Sequence, residues 1–385
     1  MTRHFRTRRM RLLAVTLGVA VVGLMPHTGA AAQETLRPTG ADPSGPVTTP
    51  MTPRIAPAAL PASVDLTKWL PKTGDQGNVG SCTAWAITYS LMGWHSNRAN
   101  RPGTPFAPMY TYSQINGGVD KGSSPTAAMT LAVTQGADTQ ENYTPGNYDW
   151  KTQPTAAQRR NASHYRLSSW RLLFRGSNQA GNVDTLKGEL ASGRPVAVMI
   201  PVRRGFDSMG TSTTSVNNDT TSTIRGWHEV LAVGYNSSGL LIQNSWGTNW
   251  GFAEDTAGGT VRGFGRLSWS VVRQDLHEAV SADGWAVTNQ VPAASNTAMG
   301  LRAGQTHSRS VASLVSDPDG DAVTYVLVEQ SFASSTFKFT WNASTGTFNM
   351  TIPSNQGSDG YLKFKAIDTT GGVSRIATVS LDYVL

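Results

Sequence analysis

The chain has 385 residues, 32 basic and 25 acidic side chains, 39% hydrophobic residues and one cysteine. That length and apolar content suit two folded units rather than one, and a lone cysteine excludes an internal disulfide framework. Residues 1–32 hold five arginines and no acid, so the rest carries 27 basic against 25 acidic groups, about +2 net; with no basic run interleaved with aromatics, nucleic acid is excluded as a partner.

In chain order, Arg3, Arg6, Arg8, Arg9 and Arg11 form a charged head before an apolar run from Leu12 to Leu24. Ala30-Ala31-Ala32 then offers a small-residue cleavage site, so residues 1–32 read as an export signal. The apolar run is shorter than the ~20 residues a bilayer-spanning helix needs, and no membrane span is expected once the signal is removed. Arg8-Arg9 leaves both general and twin-arginine export open. A secreted, extracellular protein follows. Residues 33–59 are rich in Pro, Thr and Ala without an apolar period, which predicts a disordered leader.

Residues 60–286 have a mixed globular texture. Cys82, Ala84, Ile87, Leu91 and Trp94 recur at helical spacing. Further helices are expected over Pro125–Thr134 and Asn182–Ala191, the latter ended by Gly193 and Pro195. The pattern then turns to strands at Val196–Ile200, Glu229–Tyr235 and Leu240–Gln243, with a Ser/Thr/Asn-rich loop over Arg203–Gly226. Helices first and strands later predict an α+β domain with segregated halves.

Residues 287–385 differ. Val323, Tyr325 and Leu327 alternate, as do Phe337, Phe339 and Trp341, then Phe348, Met350 and Ile352. Leu362, Phe364 and Ala366, and then Ala377, Val379, Leu381 and Tyr383, continue the pattern, which predicts an all-β sandwich.

The chemistry concentrates around Cys82. A cysteine attacks an amide as the thiolate, and three devices favour that: a helix N-terminus, a histidine partner and a donor for the oxyanion. Gly80-Ser81 precede Cys82 at a helix start, and Gln76 lies six residues upstream. Beyond the signal there are five histidines, and only His228 leads into a strand; His95, His164, His277 and His307 read as structural. Sixteen residues past His228 comes Asn244-Ser245-Trp246-Gly247. An asparagine amide oxygen orients an imidazole there, and the adjacent indole shields that bond from water.

These stretches, Leu60–Trp85, Trp227–Tyr235 and Leu241–Gly251, resemble the papain family of cysteine peptidases. The resemblance implies a two-lobed catalytic domain, a helical lobe and a β-barrel lobe with the cleft between them. It implies Gln76 as oxyanion donor, Cys82 as nucleophile, His228 as general acid/base, Asn244 as its orienting partner and Trp246 as the supporting aromatic. Gly122, Ser123 and Ser124 are similar to the family's substrate-backbone loop. Protein or peptide substrates and no cofactor for catalysis follow. Departures are Val79 and Thr83 in place of a cysteine and a tryptophan, and Trp227 and Glu229 around His228. Glu229 is expected on the strand face opposite His228. The leader is shorter than the family's inhibitory propeptide, so latency by that device is not expected.

Asp317-Pro318-Asp319-Gly320-Asp321 invites a calcium reading, although Val328 stands where an EF-hand needs glutamate. Val315–Tyr325 and Ala366-Ile367-Asp368 resemble cadherin-like and immunoglobulin-like repeats, which implies calcium candidates at Asp317, Asp319 and Asp321, a purely structural turn being the preferred reading, and leaves contact with a cell surface, a polymer or the catalytic domain open. The main reading is a secreted endopeptidase acting through an acyl-enzyme. Its rivals are an inactive binding or adhesion module on the same fold, a same-fold acyl-transferring enzyme, and an unrelated Cys-His hydrolase such as a cell-wall amidase.

Overall fold

The computed structural model describes residues 36–45, 59–286, 288–332, 336–356 and 358–384. The export signal and most of the leader fall outside them.

One long helical run carries Cys82 at its start. It begins as α1 (Cys82–Ala84), continues π-wound over Trp85–Leu91, and ends as α2 (Met92–Arg98). Ile87, Leu91 and Trp94, the expected stripe, are buried in one apolar cluster with α3 (Pro108–Ile115) and α4 (Pro125–Thr134). A proline at the first helical position starts both α3 and α4, where its fixed φ and missing N–H cost nothing. Thr155 and Gln158 form a reciprocal cap on α5 (Ala156–Ala162). α6 (Asn182–Ala191), α7 (Arg204–Asp207) and α8 (Trp269–Asp275) follow among the strands, with α7 inside the stretch expected to be loop.

Beside the helices lies an antiparallel sheet. Its strands are β1 (Val64–Asp65), β2 (Trp170–Arg175), β3 (Val196–Val202), β4 (Gly226–Asn236), β5 (Gly239–Gln243), β6 (Phe252–Thr256), β7 (Gly259–Leu267) and β8 (Glu278–Ala282). They run in the order β2-β8-β3-β4-β5-β7-β6, with β1 on β4. Strand β3 is buried along its whole length, and its alternation sorts the two faces. Val196, Val198 and Ile200 pack into a cluster with α6 and α8, whereas Ala197 and Met199 face the helical side. Ile200 pairs with His228, and Met199 pairs with Glu229 on β4 and Glu278 on β8. Glu229 thus lies on the face opposite His228, as expected, and shares it with Met199 and Glu278.

The final region is all-β. Strands Thr297–Arg302, Ala377–Val384, Gly360–Asp368 and Val323–Gln330 form one sheet, and Thr306–Ser310, Thr347–Thr351 and Lys338–Asn342 form another. The sheets share a core of Leu301, Tyr325, Phe348, Met350, Phe364 and Leu381. Polar bonds join this region to the helical side: His164 Nε2 to Thr370 Oγ1 at 2.7 Å, and Val373 N–H to Asn161 Oδ1 at 2.9 Å.

Candidate active site

Cys82 opens the helical run, and α1 packs against β4, which carries His228. The thiol lies beside the backbone N–H of Glu229, the residue after the histidine. His228 Nε2 donates to Asn244 Oδ1 at 2.7 Å. That oxygen also accepts the Ser245 N–H at 2.8 Å, so it is an acceptor on two counts. Nε2 therefore carries the proton, and in the neutral ring Nδ1 is left as the base. Nδ1 is buried and has no hydrogen-bond partner. The Trp246 ring lies 4.6 Å from the imidazole and Phe206 meets it edge-on, which keeps water from the His228–Asn244 bond.

Gln76 is also buried in place. Its N–H bonds the Ser245 carbonyl at 2.9 Å, and Ser245 Oγ donates to its Oε1 at 2.8 Å. The amide Nε2 is thereby oriented; it donates to Val79 O at 2.9 Å and reaches Pro38 O at 3.4 Å. Ser245, inside the Asn-Ser-Trp-Gly stretch, thus ties the expected donor to the expected orienting residue. Thr83 donates through Oγ1 to Ser123 O at 3.1 Å, a link from the nucleophile's neighbour to the 122–124 loop that a tryptophan does not make.

One expectation is corrected here. Residues 37–45 of the leader are not disordered: they cross the site. Gly40 and Ala41 N–H both donate to Trp227 O, at 3.0 and 3.1 Å. Ser123 N–H donates to Gly40 O at 2.9 Å, and Asp42 N–H to Ser123 O at 3.0 Å, a parallel bridge between the leader and the 122–124 loop. Trp246 Nε1 donates to Pro38 O at 3.2 Å, and Arg175 to Gly45 O at 2.5 Å. Ala41 packs with Cys82, Met199 and Trp227 in a small apolar cluster. No composition signal marks this segment, because what holds it is backbone pairing rather than side-chain burial. In the 122–124 loop Ser123 pairs with this leader segment, while Ser124 Oγ bonds Thr126 Oγ1 at 2.7 Å.

The cover also bears on charge. Cys82 is fully buried, and its thiol is pushed up to about 12 by burial, against which the Glu229 N–H pulls down. Burial holds the His228 imidazole down at about 4, opposed by its bond to Asn244. In this covered form both partners are neutral. Their desolvation has a visible source in part: the Ala41 side chain seated on the sulfur.

In the β region, Asp317 and Asp321 draw together with Asp368, one carboxylate oxygen of each lying within 4.8 Å of the others. Asp319, expected in this group, instead accepts the Gln290 N–H, and Asp368 takes its place. Asp317 Oδ2 and Asp368 Oδ2 are buried without a hydrogen-bond partner. An all-oxygen set with two orphaned carboxylate atoms fits a hard cation such as calcium.

Comparison with known proteins decides the family. The model of the papain family of cysteine proteases matches residues 60–254, or 195 of the 385 residues. The chain belongs to the papain family. Among curated papain-family relatives, it is 27% identical over 203 residues to a cathepsin L-like proteinase of Fasciola hepatica, covering 50% of this chain and 58% of that protein. It is 28% identical over 213 residues to the oryzain gamma chain of Oryza sativa subsp. japonica, covering 50% and 54%. The chain thus spans about half the length of the curated relatives it matches. Among solved structures it is similar to xylellain, a cysteine protease from Xylella fastidiosa, at 20% identity and TM-score 0.49, covering 65% of this chain and 98% of that one.

Proposed function

We propose that this papain-family chain is a cysteine endopeptidase, with Cys82 as nucleophile, His228 as general acid/base, Asn244 orienting the imidazole and Gln76 stabilising the oxyanion. The observation that carries this reading is the His228–Asn244 bond, which leaves Nδ1 as the unprotonated nitrogen. In the reaction, Nδ1 accepts the thiol proton as sulfur attacks the scissile carbonyl. The negative oxygen meets the Gln76 amide and the helix N-terminus. The imidazolium then returns the proton to the leaving amine, and water activated by the same nitrogen releases the acid. A peptide or protein chain is the substrate class. Because residues 37–45 lie over the thiol, the same reading makes this form latent and its active form the one from which that segment has left.

The deciding experiment is labelling with an epoxysuccinyl thiol inhibitor, read by mass spectrometry. Adduction at Cys82 in wild type that is lost in His228→Ala supports the activated pair. Labelling at the rate of a free cysteine, with no peptide turnover, favours an inactive module. Export of the chain is part of the proposal, and N-terminal sequencing of protein from culture medium tests it, with a start near residue 33 expected. Calcium held by Asp317, Asp321 and Asp368 is proposed to brace the β region, whose outer surface then serves for contact with a cell surface or polymer. A calcium-dependent rise in melting temperature that disappears in Asp368→Asn is the expected result, and no rise in wild type refutes it.

A further inference from the structure

Beneath the thiol, the sheet places two carboxylates where a bare apolar floor would serve packing better. Glu229 and Glu278 flank Met199 across three adjacent strands and share its face, the one turned to Cys82 and Ala41. Their situations differ. Glu278 has a partner, Arg175, at 2.6 Å, which also holds the leader through Gly45 O. Glu229 is 1% exposed, and neither of its carboxylate oxygens has a hydrogen-bond partner. A buried carboxyl with no partner costs stability unless something completes it. The ionisable groups that act on it are Glu278, two strands away across β3, and the Cys82 thiol from the helix, whereas Arg175 and Asp42 act on Glu278. Arg175 is already matched to Glu278, so the floor has one acid too many.

What now covers this floor is small. The Ala41 methyl packs on Met199 and Trp227, held there because Gly40 and Asp42 bridge Ser123 on either side. A substrate strand pairing with Ser123 in the leader's stead presents a side chain of its own at that point. Met199, unbranched and flexible, pairs with both acids from the strand between them and can yield to a longer group.

We propose that Glu229 selects peptide substrates carrying a cationic side chain, arginine or lysine, on the residue that pairs with Ser123. The incoming cation supplies the partner that Glu229 lacks, while Glu278 remains matched to Arg175. The leader's alanine is then a neutral plug that leaves the acid unsatisfied, which makes it a displaceable occupant. This inference rests on the peptidase reading above.

The test compares peptides that are identical except for arginine or its uncharged isostere citrulline, placed in turn at each of three positions before the cleaved bond. The full chain serves as enzyme, because the ratio of two kcat/KM values on one preparation cancels the fraction of molecules whose cleft is open. At one position wild type is expected to favour arginine by at least about tenfold, and Glu229→Gln to bring the ratio close to one. The glutamine is isosteric with a protonated carboxyl, and thermal melting checks its folding. Should it fail to fold, the wild-type ratio decides alone. Turnover of both peptides with a ratio near one at all three positions overturns the inference and leaves the peptidase reading standing, as does a preference that survives in Glu229→Gln. No turnover of any peptide by protein whose Cys82 is readily alkylated by iodoacetamide, and whose cleft is therefore open, removes both.

Discussion

Replacing Gly40 by alanine tests whether the leader controls access to the thiol. A Cβ at this position stands 2.0 Å from the Gly80 carbonyl oxygen and 2.4 Å from its carbon, both backbone atoms with no rotamer to escape into. On the other side, Gly40 O already approaches Gly122 so closely that only glycine fits there too. Among the described residues, four backbone hydrogen bonds tie residues 40–42 to Trp227 and Ser123. At about 1 kcal/mol net each they hold the segment by roughly 4 kcal/mol, which corresponds to about one open molecule in a thousand. Gly40→Ala displaces the residue at the centre of that set, and alkylation of Cys82 by iodoacetamide at neutral pH is expected to accelerate by about a hundredfold or more. With one cysteine in the chain, the mass shift of the intact protein reports that thiol alone. A variant labelled no faster than wild type, with its melting temperature preserved, would refute the claim that this segment limits access.

Asn244→Ala removes the acceptor that fixes the imidazole. Peptide turnover is expected to drop by ~10- to 100-fold in kcat with KM little changed, as steady-state kinetics will show. Gln76→Ala removes the proposed oxyanion donor and should lower kcat by about 100-fold or more. It also orphans Ser245 Oγ, at a cost of ~1–2 kcal/mol in urea unfolding. His228 is held near 4 in the folded chain against an ordinary 6.5, so the unfolded chain takes up the proton first as the medium turns acid. Its contribution is complete above 6.5 and is lost as pH falls towards 4, by about 1.4 kcal/mol per unit or ~3 kcal/mol in all. Urea midpoints at pH 7 and pH 4.5 should therefore separate less in His228→Asn than in wild type, and equal separations would contradict the burial account.

Much of this was legible because it rests on local patterns. The stripe from Cys82 to Trp94 predicts a helix that the structure buries, and Pro125–Thr134 and Asn182–Ala191 match element for element. The alternating runs after residue 320 become strands with their aromatic faces inward. His228 and Asn244 meet as their surroundings suggested. What escaped was non-local. The leader's order depends on carbonyls of Trp227 and Ser123, far away in sequence, meeting three consecutive small or polar residues whose composition reads as disorder. Asp368 joined the acidic group, and Asp319 left it, because a turn folds back onto a strand nearly fifty residues later. The floor acids became visible only once three strands were placed in register.

Having a single thiol sets how this molecule fails. A cysteine oxidised to the sulfenic acid is ordinarily rescued by condensing with a second thiol, and this chain holds none. Each oxidant hit on an uncovered molecule therefore proceeds to a dead end unless an outside reductant intervenes. While Ala41 sits on it, the sulfur is protonated and out of contact with solvent, a poor target for peroxide. Shelf-life and activity are thus set against each other, and the clock on the nucleophile starts when the leader lifts away.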